Sequence, residues 1–292
     1  MFPVRANGKQ CFLRFVAIVA VESNLSMTSE SLTIPDRAHA HARRRAVLAF
    51  PVLDREPGGL GRRLAALPGE GHPVWMYLCG IVLSLAAIAA LSIIAGLLVT
   101  RVLLHAHGVA YDDQAFEGFL ARHRSTGLTD ASLVGSIMAG GVVLPIVAGV
   151  SALVAAALRH WRLACFLLLA LAVESASYRA TTLVIHRHRP TVPRFEHLPV
   201  NASYPSGHMA ASIAIYCGLA LLLTSRLTNR SAQVGVWAIA LLVPVFVAFS
   251  RLYRGMHHPL DVAGGALVGI AALSALVLVS RAANLATTRA RR

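Results

Sequence analysis

Residues Val74–Val99 read VWMYLCGIVLSLAAIAALSIIAGLLV, 26 positions without a charged side chain. Crossing roughly 30 Å of hydrocarbon at 1.5 Å per helical residue needs about 20 apolar residues, so this stretch reads as a membrane-spanning helix. It lacks the polar stripe that a soluble amphipathic helix turns to water. Five further apolar runs follow: Leu133–Leu158, Trp161–Val184, Met209–Leu223, Val234–Phe249 and Val262–Val279. The expected fold is therefore all-α, an integral membrane bundle of six helices. The fourth and fifth runs are short and span only if their ends enter polar pockets or the interface. Pro244 predicts a kink in the fifth.

Composition agrees with this reading. Of the 292 residues, 56% are hydrophobic and 14% charged, against about 45–50% and about 25% in soluble domains. The chain is also basic, with 27 Lys+Arg against 13 Asp+Glu, a net charge of +14, and Lys9 its one lysine. Such charge first suggests nucleic acid, but its placement argues otherwise. Eighteen of the 27 fall in the two tails and the two even-numbered loops. The positive-inside rule then puts both termini in the cytoplasm and the 101–132, 185–208 and 250–261 loops outside, in the cell membrane. No nucleic-acid partner is needed to explain the charge.

Three segments follow from this: a basic, largely disordered tail over 1–73, a transmembrane domain over 74–280, and a basic tail over 281–292. Phe15–Val21 is a short apolar run of signal-peptide type without a small-x-small cleavage site, and Met27 offers an alternative start. Cys11, Cys79, Cys165 and Cys217 have no ligand spacing and read as buried small hydrophobes.

The outer loops nevertheless hold arginines, against the orientation rule. One segment is His186-Arg187-His188-Arg189-Pro190. A second is Tyr204-Pro205-Ser206-Gly207-His208, opening the fourth span, and a third runs from Ser250 to Asp261. This inventory suits phosphoryl chemistry. Guanidinium binds phosphate as a rigid fork, a helix N-terminus offers N–H groups, and glycine allows close backbone approach. A neutral imidazole attacks phosphorus, and a carboxylate on its other nitrogen fixes the tautomer. His257 and Asp261 are four apart, with Pro259 starting the sixth span, so contact between them is expected. His208 is positioned to protonate the leaving oxygen.

These segments resemble the three signature motifs of the type 2 phosphatidic acid phosphatase family, relatives of the vanadium haloperoxidases. Pro205-Ser206-Gly207-His208 matches the second motif in full. Ser250-Arg251, five residues, His257, three residues and Asp261 match the third. The first matches at Arg189-Pro190, but the family lysine falls on Thr182, leaving Arg187 or Arg179 to substitute. The resemblance implies a lipid phosphate or pyrophosphate hydrolase. His257 would be the nucleophile, Asp261 its orienting partner and His208 the general acid and base. Arg189, Arg251, Arg187, Ser206 and Gly207 would hold the phosphate, with no metal and no cofactor.

Competing readings attach to the same residues. A phosphotransferase would use the same pocket, and a lipid-binding protein lacking catalysis would fit the Thr182 departure. His186 and His188 read as interfacial polar groups, with zinc disfavoured by the neighbouring arginines. Arg254 is either a third phosphate contact or a snorkelling residue. Glu174 and Arg179, inside the third span, are expected to pair with each other or with Tyr178. Asp112–Arg124 reads as a short amphipathic helix with Ala115, Phe116, Phe119 and Leu120 on its apolar face, lying on the interface or against the bundle.

Overall fold

The computed structural model describes residues 50–55, 58–64 and 73–289. Most of the expected N-terminal tail, with Phe15–Val21 and Cys11, lies outside the described residues. The described chain is helical: α1 Pro51–Asp54, α2 Gly59–Leu64, α3 Pro73–Arg101, α4 Val109–Arg122, α5 Thr126–Met138, α6 Val143–Ala157, α7 Trp161–Val184, α8 Gly207–Thr224, α9 Arg230–Tyr253 and α10 Pro259–Arg289. A single 3₁₀ turn, Leu103–His105, links α3 to α4, and a π turn, Ile213–Cys217, widens α8 midway.

Five helices, α3, α7, α8, α9 and α10, are long and apolar enough to span a membrane. The second expected span is broken. Instead of one helix over 133–158, α5 and α6 meet at a 46° bend. Gly140-Gly141 at the break weaken helical continuity, and Pro145 in the first turn of α6 has no N–H with which to continue the upstream ladder. Pro244 lies inside α9, which is one continuous helix from Arg230 to Tyr253.

Helix α10 packs along α3 and crosses α7 and α8. The crossing with α8 is closer than side chains permit. A Cβ added at Gly265 would lie 2.3 Å from the Ser206 carbonyl oxygen, and one at Gly269 would lie 2.5 Å from that of Ala210. Backbone rather than a movable side chain opposes both. Gly265→Ala is expected to destabilise the protein by roughly 1–3 kcal/mol. A thermal unfolding midpoint in detergent equal to wild type would contradict this.

The core joins Phe166, Leu167, Ala170 and Val173 of α7 to Ala210 and Leu222 of α8, with Val268, Ala272 and Leu276 of α10. Leu53 of α1 is 2% exposed within this cluster, and Arg281 Nε donates to the Val52 carbonyl at 2.7 Å. Packed structure thus reaches back to residue 50, into the segment expected to be a disordered tail, and α10 runs on past residue 280 to Arg289. The outer faces stay apolar: Trp75, Val82, Leu153, Leu183 and Leu242 are all more than half exposed. Water would not tolerate such a belt, and lipid covers it. Cys79 and Cys165 lie exposed on this belt, so of the described cysteines only Cys217 is buried as expected. Glu174 is buried and takes its hydrogen bond from Ser175 Oγ at 3.1 Å, while Arg179 is exposed; the expected pairing between them is not made.

Candidate active site

The C-terminal ends of α7 and α9 and the N-terminal ends of α8 and α10 meet at one end of the bundle. The irregular segment 185–206 covers that end, and the 254–258 turn enters it. Gly255 has φ +68, and a Cβ there would meet Val192 at 2.7 Å, so the turn requires glycine sterically and conformationally. The turn delivers His257, which is 2% exposed.

His257 Nδ1 lies 2.8 Å from the Ser203 carbonyl oxygen. A carbonyl only accepts, so Nδ1 carries the proton and Nε2 is the free, basic nitrogen. Burial, then the positive charges of Arg251 and Arg189, hold the His257 pKa well below its ordinary value, so the ring is neutral at physiological pH.

Asp261 stands differently from expectation. Its Oδ2 is 3.9 Å from His257 Nδ1, beyond hydrogen-bonding distance. That oxygen instead accepts from Ser203 Oγ and from the His258 backbone N–H at 2.9 Å. Orientation is thus relayed through Ser203, whose hydroxyl is held by Asp261 and whose carbonyl holds the imidazole. Ser203 was not singled out from the sequence, although it lies only three residues before Ser206.

Of the residues expected to hold phosphate, Arg251 and Ser206 have donors to spare. Arg251 is 0% exposed, and its Nη1 is taken by Glu196 at 2.8 and 3.0 Å and by Ser136 at 2.6 Å. Its Nε and Nη2 are buried with no hydrogen-bond partner, as is Ser206 Oγ. Buried donors of this kind are costly unless a ligand completes them. Gly207 and His208 open α8, where the first N–H groups have no intrahelical acceptor.

Arg189 is more committed. It donates to the carbonyls of Pro199 at 2.9 Å, Ala202 at 2.8 Å and Met256, with Nη1 3.4 Å from His257 Nε2. It lashes the 185–206 segment to the turn and keeps its charge beside the imidazole. Arg187, expected among the phosphate contacts, is spent on two carboxylates, Asp113 and Asp261. Their opposite charge holds it on the far side of Asp261. Thr182, at the place of the family lysine, donates to the Arg179 carbonyl of its own helix at 2.9 Å.

Glu196 was also missed, yet it is the one acid among the arginines of the 185–206 segment. It bridges Arg251 to Arg254, whose Nε lies 2.9 Å away. Arg254 is thus neither a snorkelling residue nor free, and it stacks over Phe195. Burial would raise the Glu196 pKa, but hydrogen bonds and charge from Arg251, with Ser136 and Arg254, outweigh it and bring it to about 2. His186 and His188 are exposed.

His258 faces away from the nucleophile. Its Nδ1 lies 3.5 Å from Glu117 Oε1 and 3.7 Å from Asp113 Oδ2. Burial opposes its charge, but Glu117 and Asp261 prevail over Arg187 and raise its pKa above the ordinary 6.5. A raised pKa means this ion pair stabilises fully below the unfolded value and is lost as pH rises through the folded one. The gap in melting temperature between wild type and Glu117→Gln is therefore expected to be widest near pH 6 and to narrow on the alkaline side. A gap independent of pH from 6 to 9 would contradict this.

Residues 163–285 match the model of the PAP2 superfamily. That stretch contains every motif residue described above. The match spans less than half of the chain, and over it the chain is similar to that superfamily. Over 71 residues the chain is 41% identical to an undecaprenyl-diphosphatase of Sulfolobus acidocaldarius, 24% of this chain and 30% of that relative's length. A crystal structure of a transmembrane PAP2-type phosphatidylglycerolphosphate phosphatase from Bacillus subtilis superposes with a TM-score of 0.54 at 23% identity. That superposition covers 70% of this chain and 93% of the other. The likeness supports an all-helical membrane fold, and α4, α5 and α6 lie outside the segment that the family model matches.

Proposed function

We propose that the protein hydrolyses a lipid phosphate or diphosphate through a phosphohistidine on His257, without a metal. The observation that carries this reading is the pairing of a neutral imidazole, its unprotonated Nε2 only 3.4 Å from Arg189 Nη1, with buried donors that lack acceptors, Arg251 Nε and Nη2 and Ser206 Oγ. Such donors stabilise charge building on the phosphoryl oxygens. Nε2 forms the bond to phosphorus as the bond to the leaving oxygen breaks, and His208 gives that oxygen its proton. Water, deprotonated by His208, then attacks phosphorus and releases phosphate and free His257. A lipid substrate suits the place, since its tail can stay in the bilayer while its head group enters among the arginines. The names of the two relatives add support for polyprenyl diphosphates and phosphatidylglycerol phosphate as substrates to test. The basic-residue count favours placing this end of the bundle on the extracytoplasmic face.

The test is phosphate release by the purified full chain in detergent, from a polyprenyl diphosphate, phosphatidic acid and phosphatidylglycerol phosphate, each with and without EDTA. At least one lipid is expected to release phosphate at a rate EDTA leaves unchanged. Loss of release with EDTA would overturn the metal-free route, and no release from any lipid would overturn the activity.

A further inference from the structure

Helix α4, outside the PAP2 segment, presses two carboxylates against the turn that carries His257. Asp113 and Glu117 are one helical turn apart and 6% and 1% exposed, while Phe116 and Phe119 on the other side are 44% and 50% exposed. An amphipathic helix in water does the reverse. Buried carboxylates are costly unless paired and hydrogen-bonded; Asp113 is both, while Glu117 has His258 Nδ1 at 3.5 Å as its ion pair and no hydrogen bond to either oxygen among the described residues.

Those partners belong to the catalytic turn and its supports. Asp113 Oδ1 accepts the Leu260 N–H at 3.1 Å. Leu260 is the second residue of α10, where that N–H has no intrahelical acceptor, so a carboxylate from another helix caps α10. Asp113 Oδ2 holds Arg187 Nη2, and Arg187 Nη1 meets Asp261 Oδ1. With Oδ1 taken, Oδ2 of Asp261 is left for Ser203 and the His258 N–H. One carboxylate therefore fixes both the start of the helix bearing Asp261 and the arginine that rotates its side chain.

We propose that Asp113 is a positioning residue for phosphoryl transfer, acting through Arg187 and Leu260 on Asp261, and through Ser203 on the His257 ring. It touches neither the substrate nor the reacting atoms. Glu117 assists by holding His258 against the same helix face. The proposal rests on His257 being the nucleophile.

Two measurements on the full chain in detergent test it. In the first, Asp113→Asn keeps an acceptor for Leu260 but loses the charge that holds Arg187. Using the lipid that wild type hydrolyses, kcat is expected to fall about 10- to 100-fold with KM within about twofold, since small misplacements of reacting groups cost rates of this order. Asp113→Glu should recover part of the loss, and Asp112→Asn, at an exposed neighbour, should match wild type. A kcat for Asp113→Asn within twofold of wild type, or a loss residing in KM, overturns the proposal. The second measurement needs no substrate. Amide exchange across 257–263 should quicken in Asp113→Ala, or in Asp113→Asn if the alanine variant does not fold, and stay unchanged in Asp112→Asn. Unchanged exchange in the Asp113 variant overturns the proposal even if wild type hydrolyses no lipid, an outcome that would instead sink the hydrolase reading.

Discussion

His257→Ala is expected to lower phosphate release by on the order of 10⁴-fold or more. The size follows from the nucleophile's being irreplaceable, since residues of a catalytic unit lose nearly everything when one is removed. Asparagine is the sharper variant. Its amide can still donate toward the Ser203 carbonyl, so the turn stays held while the nucleophilic nitrogen disappears. Acid-labile phosphate trapped on wild-type protein after a rapid quench should be absent from both variants. Activity surviving in either would mean that another group attacks phosphorus.

Arg251→Lys is expected to cost about 10²–10³-fold in kcat, the scale seen when one preorganised donor to a transition-state anion is removed. Lysine keeps the charge but has a single nitrogen where Arg251 has two edges. One edge is engaged by Glu196 and Ser136, and the other, Nε with Nη2, is unpartnered. An ammonium that replaces the first contact leaves the second empty, so the loss should appear mainly in kcat. Arg254→Lys provides the contrast, because that side chain is committed to Glu196, Ser132 and Phe195. Equal losses from the two substitutions would refute the assignment of Arg251 as the main donor.

Much of this arrangement was legible in the sequence because its signals are local. An uninterrupted apolar run identifies a span, and Trp161–Val184 has its predicted limits in the structure. Fixed spacing brings Ser206, Arg251, His257 and Asp261 to one end of the bundle. What escaped the sequence depends on pairing across the fold. Glu196 lies 55 residues from Arg251 and Asp113 lies 74 from Arg187, and no periodicity signals such a contact. Helix α4 was recognised by its apolar face, yet in lipid that face is the outer one and the acidic side carries the information. The direct His257–Asp261 bond was expected from an i, i+4 spacing, but His257 precedes α10 and lies outside its regular geometry.

Glu196 gives the anion site a resident counter-ion. Arg251 meets an arriving phosphate with one edge already neutralised by a carboxylate that remains ionised down to about pH 2. The guanidinium therefore has only part of its charge to lend to an anion that enters, and a softened affinity for inorganic phosphate is expected. If the proposed hydrolysis holds, its last product is a small dianion, and a weaker grip would keep the site from becoming a trap for what it releases.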